Sequence, residues 1–173
     1  MTHLPSDQIL ESLSTQLGEL LLAKGLKLAT AESCTGGGIA QIITEIPGSS
    51  AWFDRGFIPY SNLAKQQMLD VKAVTLAQHG AVSEAVAREL AQGALRNSQA
   101  HISVSITGIA GPSGGSPEKP VGTVWIGYAT KDTVAADCYH FSGNRHAVRK
   151  QTILTTLETL ISVAQSSTWI NSY

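Results

Sequence analysis

The chain has 173 residues, of which 43% are hydrophobic, so it is long enough for one domain with a substantial core and too short for two ordinary domains. Its 12 Lys and Arg residues against 13 Asp and Glu residues give a net charge of −1, which excludes a chain-wide basic field for a phosphate backbone or an anionic membrane. We predict a single domain over residues 1–173 with a core at about residues 8–166, and no nucleic-acid or membrane partner.

The first part of the chain alternates helical and strand patterns. Leucines at three- and four-residue intervals predict a helix from about Ser6 to Lys24. A short strand over residues 26–33 then runs into the glycine turn at residues 34–38, and a stripe of isoleucines predicts a helix after it. The local pattern is therefore strand, glycine turn, helix.

The middle of the chain continues the alternation. Residues 52–60 predict a strand, with Pro59 at its end or on a sheet edge because proline has no N–H to donate. Ser61 is a suitable cap for a helix that carries Lys65, and Ser83 precedes a longer helix with an apolar face.

The last part of the chain is richer in strands. Residues 101–107 alternate apolar and small polar residues, as a strand does, and lead into a Gly/Pro/Ser loop at residues 108–120. Two further strands over residues 121–129 and 134–141 precede a final helix introduced by residues 142–144. The order α-β-α-β-α-α-β-β-β-α predicts a three-layer α/β/α domain with a mixed sheet.

The N-terminal sequence and the cysteines indicate the cellular compartment of the protein. Residues 1–5 lack the basic and apolar regions of a secretory signal, and no apolar run approaches the ~20 residues that span a bilayer. The chain has two cysteines, Cys34 and Cys138, and a domain with an ample core does not need a disulfide. We expect a cytoplasmic protein with reduced thiols.

Three polar clusters, at residues 30–38, 60–65 and 107–115, each follow a predicted strand. Ligands of α/β proteins bind at the carboxyl ends of strands, and a glycine turn before a helix presents amides and the positive dipole end to an anion. Neither glycine loop has the lysine of a P-loop or the third glycine of a dinucleotide fingerprint. The five histidines show no close pair at ligand spacing, so we predict one shared pocket with no metal and no cofactor.

Ser33 stands at the strand-to-helix turn, beside the amides of residues 34–36. One loop would thus supply both a nucleophile and oxyanion donors. No triad histidine is evident, and a desolvated lysine is the usual substitute base because burial lowers its pKa. Lys65 is the candidate base and the Tyr60 phenol a candidate proton relay. From spacing alone, however, an ordinary solvated lysine is the favoured interpretation.

Three neighbouring residues leave alternatives open. Cys34 is either a rival nucleophile at the helix N-terminus or a small buried residue in a tight turn. Glu32 either orients a polar partner or caps the turn. Arg145 lies in the first turn of the last helix, where a cation opposes the dipole unless an anion is nearby, which favours ligand binding.

Several motifs in these clusters match one known family in the same order. They are AESCTGG at 31–37, YSN at 60–62 with AK at 64–65, TGIAGP at 107–112, PEKPVGT at 117–123, and Arg145 with Arg149. With these motifs the chain resembles the CinA C-terminal-domain family of nicotinamide-nucleotide amidases, which also carries the name competence-damage inducible.

The resemblance implies hydrolysis of nicotinamide mononucleotide to nicotinate mononucleotide and ammonia, in pyridine-nucleotide recycling, by a homodimer without a cofactor. It implies that Ser33 is the nucleophile, Lys65 its general base and Tyr60 an assisting hydroxyl. The substrate-binding residues it implies, with Arg145 as a phosphate contact, are Glu32, Cys34, Thr35, Gly36, Gly37, Thr107, Gly108, Ile109, Ala110, Gly111 and Arg145.

Two positions depart from the family pattern. Pro59 fixes its own φ and restricts Ile58, so an altered approach to Tyr60 is expected. Leu63 replaces a glutamate usual in the family, which removes a carboxylate close to Lys65 and favours its neutral amine. Because Ser33 and Lys65 are both present, the resemblance still implies an active amidase. The alternative is a catalytically altered or inactive nucleotide-binding or interaction protein of the same family.

Overall fold

The computed structural model describes residues 4–166, so the predicted domain limits at residues 1–3 and 167–173 lie outside the described residues. Besides α-helices and β-strands, the described residues contain one 3-10 turn, at Ser49–Ala51. In chain order the elements are α1 (Asp7–Ala23), β1 (Leu28–Glu32), α2 (Gly38–Thr44), β2 (Phe53–Phe57), α3 (Asn62–Leu69), α4 (Ala73–His79), α5 (Glu84–Arg96), β3 (Ile102–Gly108), β4 (Thr123–Ala129), β5 (Val134–His140) and α6 (Arg145–Gln165).

Four helices begin at a side-chain cap supplied by the residue just before them, which confirms the predicted helix starts. In each of these caps a side-chain oxygen accepts a hydrogen bond from the backbone N–H three residues ahead and so satisfies one of the unpaired amides of the first turn. The pairs are Ser6 with Ile9 at 3.3 Å, Ser61 with Ala64 at 3.0 Å, Ser83 with Val86 at 3.3 Å and Asn144 with Ala147 at 3.0 Å.

The predicted order is wrong at one place, because α4 lies between the two helices expected after β2. Lys72, which precedes α4, provides no side-chain cap. Glu89 of α5 caps α4 instead, accepting from Lys72 N at 2.8 Å and from Thr75 Oγ1 at 2.7 Å. The sequence around α4 carries no local start signal because its cap comes from another helix.

The sheet is mixed and has a helical layer on each face, as predicted. Its strand order is β2-β1-β3-β4-β5, with β1 parallel to β2 and β3, and with β4 antiparallel to β3 and β5. Helices α1, α2 and α6 pack in one apolar core with the sheet, and α3, α4 and α5 pack in a second core on the opposite face. Strand β2 is an edge strand that ends before Pro59, which confirms the position predicted for this proline.

This topology creates a crevice beside the end of β1. The chain leaves β1 through α2 on one face to reach β2, and it returns to β3 through α3, α4 and α5 on the other face. Because the two connections diverge, a space opens between the carboxyl ends of β1 and β3. Ser33 directly follows β1, and Thr107 lies in the last two residues of β3.

Neither a membrane-crossing helix nor a metal-binding cluster occurs within residues 4–166. No helix there combines the length and the hydropathy that a bilayer span requires. His, Cys, Asp and Glu side chains do not gather there in groups of three or more that could hold a metal ion. Cys34 is buried, Cys138 is exposed, and both are free thiols.

Candidate active site

A cleft of about 230 Å³ occupies the crevice at the ends of β1 and β3. All three polar clusters of the sequence contribute to it, which agrees with the prediction of one shared pocket. Its lining residues are Ser33, Cys34, Tyr60, Asn62, Lys65, Ala81, Val82, Thr107, Gly108, Ala110 and Arg145.

Ser33 and Lys65 are in direct contact inside this cleft. Lys65 Nζ lies 3.2 Å from Ser33 Oγ, although the two residues are 32 positions apart in the chain. Ser33 is 8% exposed and Lys65 only 2% exposed, so this lysine is not the solvated side chain of the alternative interpretation. The Ser61 cap starts α3 such that Lys65, one turn later, points towards the end of β1.

Lys65 Nζ donates to three oxygens, which are Ser33 Oγ at 3.2 Å and two backbone carbonyls. Its Nζ donates to the carbonyl oxygen of Pro59 at 3.1 Å and to that of Tyr60 at 2.9 Å. A neutral primary amine has two N–H groups and one lone pair, so once Lys65 is neutral its N–H groups can serve the two carbonyls while the lone pair accepts the Ser33 hydroxyl proton. Burial lowers the pKa of Lys65 below its usual range, and the nearby Cys34 only partly opposes this effect.

Pro59 and Leu63, the two departures from the family pattern, leave this contact in place. The Pro59 carbonyl oxygen accepts a hydrogen bond from Lys65 Nζ, and proline retains this carbonyl although it lacks an N–H. Leu63 is 59% exposed and does not line the cleft. Its side chain therefore lies outside the surroundings of Lys65 in the cleft, where the sequence had predicted it to favour the neutral amine.

Cys34 lines the same cleft but does not have the environment of a nucleophile. Its side chain is 6% exposed, and burial raises the pKa of the thiol to about 11 in spite of Arg149 and Arg145 nearby. A thiol with that pKa stays protonated at neutral pH and reacts poorly. The structure favours the interpretation of Cys34 as a small buried residue.

Thiol labelling gives a direct measure of this difference. We expect iodoacetamide at pH 7 to modify the exposed Cys138 in the native protein and to spare Cys34 by at least about 10-fold, because attack requires an accessible thiolate. Peptide mass spectrometry gives the ratio, with the denatured chain as the control in which both react. Preferential modification of Cys34 would restore it as a candidate nucleophile.

Glu32 caps helix α2 and does not line the cleft. Its carboxylate is fully buried and accepts hydrogen bonds from Thr35 Oγ1 at 2.8 Å, Ile39 N at 2.9 Å and Ala40 N at 2.8 Å. Of the two roles considered for Glu32, capping is therefore the one observed. The prediction that the α2 N-terminus receives a ligand anion is wrong for these two amides, because Glu32 already occupies them.

The turn after Ser33 also differs from the prediction in one of its amides. Gly36 N donates to the Ser33 carbonyl at 3.0 Å, so it is not a free oxyanion donor. Gly36 and Gly37 have φ values of 60° and 93°, a region that favours glycine, and they let the chain reverse into α2. The amides of Cys34 and Thr35 remain as candidate oxyanion donors.

Tyr60 meets Lys65 through its backbone and Arg145 through its side chain. Its phenol is exposed and accepts a hydrogen bond from Arg145 Nη2 at 3.1 Å. Arg145 Nη1 donates to the Gly111 carbonyl at 2.9 Å. Arg145 and Tyr60 thus meet across the mouth of the cleft, and the predicted proton relay through the phenol has no contact with Lys65 here.

The remaining predicted residues divide between the cleft and its surroundings. Thr107, Gly108 and Ala110 line the cleft, and Thr107 Oγ1 donates to the Ala81 carbonyl at 2.7 Å. Thr35, Gly36, Gly37, Ile109 and Gly111 do not line it.

Asn62, Ala81 and Val82 also line the cleft, although they were not among the site residues predicted from the sequence. Asn62 belongs to the YSN motif and was open to assignment from it. Ala81 and Val82 lie in the connection between α4 and α5, where small apolar residues give no functional signal.

The structure is thus a three-layer α/β domain in which a buried serine contacts a buried lysine beside the carboxyl end of a parallel strand. The chain belongs to the CinA C-terminal domain family, whose family model matches residues 10–164.

Named relatives and solved structures are similar over nearly the whole chain. Nicotinamide-nucleotide amidohydrolase PncC of Escherichia coli (strain K12) is 56% identical over 158 residues, which cover 90% of this chain and 94% of that protein. The Pseudomonas putida protein of the same name is 47% identical over 152 residues, covering 88% and 95%. The crystal structure of the competence/damage inducible protein CihA from Agrobacterium tumefaciens matches with a TM-score of 0.89 and 44% identity, covering 95% of this chain and 100% of that one.

Proposed function

We propose that this chain is an amidohydrolase that converts nicotinamide mononucleotide to nicotinate mononucleotide and ammonia. The observation that carries the proposal is the buried Lys65 amine 3.2 Å from Ser33 Oγ in the cleft. The names of its relatives, nicotinamide-nucleotide amidohydrolase, supply the substrate. Ser33 is the nucleophile and Lys65 the general base.

In the first half of the reaction, the Lys65 lone pair takes the Ser33 hydroxyl proton as Oγ bonds to the carboxamide carbon. The resulting ammonium is held by the carbonyls of Pro59 and Tyr60, which already accept from Nζ. Its third proton passes to the amide nitrogen as the C–N bond breaks, so ammonia leaves and a nicotinoyl ester of Ser33 remains.

In the second half, Lys65 is neutral again and takes a proton from water, whose oxygen attacks the ester carbon. The C–O bond to Ser33 breaks, the proton returns to Oγ, and nicotinate mononucleotide leaves. The Cys34 amide, at the cleft, is the proposed donor to the oxyanion of both tetrahedral intermediates, and a donor of this kind contributes about 3–4 kcal/mol in well-studied enzymes.

The proposal extends to the setting of the enzyme. The resemblance implies a homodimer that works in cytoplasmic pyridine-nucleotide recycling, and these remain predictions. The assisting role of the Tyr60 hydroxyl also stays a prediction, because in this structure the phenol contacts Arg145.

The test measures products and traps the intermediate. Purified chain and nicotinamide mononucleotide are expected to give ammonia and nicotinate mononucleotide in equal amounts. With hydroxylamine added, the nicotinoyl ester partitions to the hydroxamate, which is detected by mass spectrometry against an enzyme-free control.

Each result separates one alternative. Binding of the mononucleotide without ammonia would indicate an inactive nucleotide-binding protein and contradict the proposal. Ammonia release with no hydroxamate at saturating hydroxylamine would contradict the covalent step while keeping the reaction.

A further inference from the structure

The PEKPVGT segment at residues 117–123 spans the end of the loop that joins β3 to β4, and the proposed reaction gives it no role. This β3–β4 loop, residues 109–122, lines the cleft through Ala110. Its residues 112–118 and Pro120 are exposed, whereas Lys119 is half-buried. A lysine that is less exposed than the loop around it indicates a specific contact of its side chain.

The contact of Lys119 is with the end of helix α4. Its Nζ donates a hydrogen bond to the backbone carbonyl oxygen of His79 at 2.8 Å. His79 is the last residue of α4, and the last carbonyls of a helix have no partner within that helix. A cation is also favoured there by the negative end of the helix dipole. The side chain therefore joins the β3–β4 loop to α4 across 40 positions of the chain.

The β3–β4 loop holds the backbone of Lys119 in one place. The N–H of Lys119 donates to Ser116 Oγ at 3.2 Å, and its carbonyl accepts from Ser116 N at 2.9 Å. At the base of the loop, Gly122 N donates to the Ile109 carbonyl at 2.7 Å, and Ile109 N donates to the Thr123 carbonyl at 2.9 Å. The Lys119 side chain thus extends from a closed, hydrogen-bonded turn.

The α4–α5 connection, residues 80–83, directly follows the end of α4 and forms one wall of the cleft. Ala81 and Val82 line the cleft, and the Thr107 hydroxyl donates to the Ala81 carbonyl at 2.7 Å. Gly80 has a φ of 73°, a region that favours glycine, so it is a permissive joint between α4 and this wall. Contacts on both sides of Gly80 are needed to fix the wall relative to the helix.

We infer that Lys119 is a positioning residue, whose contact with the His79 carbonyl holds the α4–α5 connection in place as a wall of the substrate cleft. Thr107 fixes the connection on one side of Gly80, and Lys119 fixes the end of α4 on the other side. The inference rests on the proposed function, since this cleft is where nicotinamide mononucleotide is proposed to react.

The contact between Ser33 and Lys65 does not run through this wall. It forms between the end of β1 and α3, and the carbonyls of Pro59 and Tyr60 hold Lys65 Nζ. Releasing Lys119 therefore lowers the fraction of molecules whose cleft is ready for substrate, while the reacting groups stay in contact. Because the apparent dissociation constant rises in inverse proportion to that fraction, the loss falls on KM and not on kcat.

The experiment measures KM and kcat for ammonia release from nicotinamide mononucleotide. We expect Lys119→Met to raise KM about 10-fold and to change kcat by less than about 2-fold, because one hydrogen bond from a charged donor is lost. Lys119→Arg keeps a donor for the carbonyl and should restore KM to within about 3-fold of wild type. Lys131→Met is the matched control, because Lys131 is an exposed lysine in the turn between β4 and β5.

Hydrogen–deuterium exchange measures the end of α4 without any substrate. Its last turn includes the amide of Gly80, which donates to the Leu76 carbonyl at 2.9 Å. We expect the amides of residues 77–80 to exchange about 10-fold faster in Lys119→Met than in wild type, and those of α6 to exchange at the wild-type rate. A lysine with a merely structural role would change the exchange but leave KM as in wild type.

Equal KM values for Lys119→Met and Lys131→Met would overturn the inference, as would equal losses in Lys119→Met and Lys119→Arg. So would a loss confined to kcat, or a higher KM with unchanged exchange at residues 77–80. If the wild type releases no ammonia, the proposed function fails, and calorimetric titration with nicotinamide mononucleotide decides the inference. Equal Kd values for wild type and Lys119→Met, or no binding by the wild type, would then overturn it.

Discussion

Ser33→Ala, Lys65→Met and the double variant are expected to release ammonia from nicotinamide mononucleotide at one common residual rate, about 10⁴-fold or more below the wild type. In the proposed mechanism Ser33 Oγ and Lys65 Nζ act as one unit across their 3.2 Å contact, so losing either partner removes the whole covalent route. Initial rates of ammonia release measure the three losses. Losses that multiply in the double variant would show that the two residues act independently.

The pH dependence follows from the same contact. Since burial lowers the pKa of Lys65, the wild-type kcat/KM rises with pH through that lowered pKa and is level above it, at pH values below the usual 10.5. Lys72→Met, which removes an exposed lysine, is the matched control and should keep both the rate and the profile.

Lys65→Met should also change how the stability of the fold depends on pH. The folded-state pKa of Lys65 is lowered, so the unfolded chain binds more protons between that pKa and 10.5, and stability rises with pH across this window. Methionine avoids the cost of burying the amine, which is fully present at lower pH. We therefore expect the Tm of Lys65→Met, measured relative to wild type, to fall as the pH rises towards 10.5, in addition to a pH-independent cost of leaving the Pro59 and Tyr60 carbonyls without their donor. A relative Tm that does not change with pH would contradict the account.

Glu32→Ala is expected to lower the free energy of unfolding by about 3–5 kcal/mol and to abolish ammonia release. The substitution leaves Thr35 Oγ1 and the amides of Ile39 and Ala40 buried without their acceptor. The turn that carries Ser33 then loses its anchor to α2. Denaturant unfolding and the ammonia assay, both performed at a temperature where the variant remains folded, measure the two effects.

Two further variants define the origin of this loss. Glu45→Ala removes an exposed carboxylate at the other end of α2 and should change stability by less than about 0.5 kcal/mol. Glu32→Gln retains one acceptor oxygen and turns an amide towards a backbone N–H, so it should fall between wild type and Glu32→Ala. Full activity in Glu32→Ala would contradict the anchoring role.

Most of the fold was predictable because its signals are local. Four helices are capped by the residue directly before them, so their starts can be predicted from the sequence; the caps are Ser6, Ser61, Ser83 and Asn144. The alternation of β3 and the paired patterns of β4 and β5 predicted the antiparallel half of the sheet. The exception is α4, whose cap Glu89 belongs to another helix.

The candidate site was predictable in its residues but not in its chemistry. Sequence motifs singled out Ser33 and Lys65, yet spacing alone favoured an ordinary solvated lysine over a buried base. Burial and the two carbonyls at Nζ depend on how α3 packs against the end of β1. The assignment of Cys34 as a buried, protonated thiol likewise required the packing around it.

The sequence by itself determined the order of the elements outside α4, the mixed three-layer architecture and the membership of one family, since local caps, periodicity and contiguous motifs are sufficient for these. The tertiary structure alone decided that Glu32 serves α2, that Lys65 is desolvated against Ser33, and that Arg149 reaches Thr35 across 114 positions of the chain. The physical reason is that desolvation and hydrogen-bond partnership depend on distance in space, which residues far apart in sequence acquire only when the sheet and its two helical layers assemble.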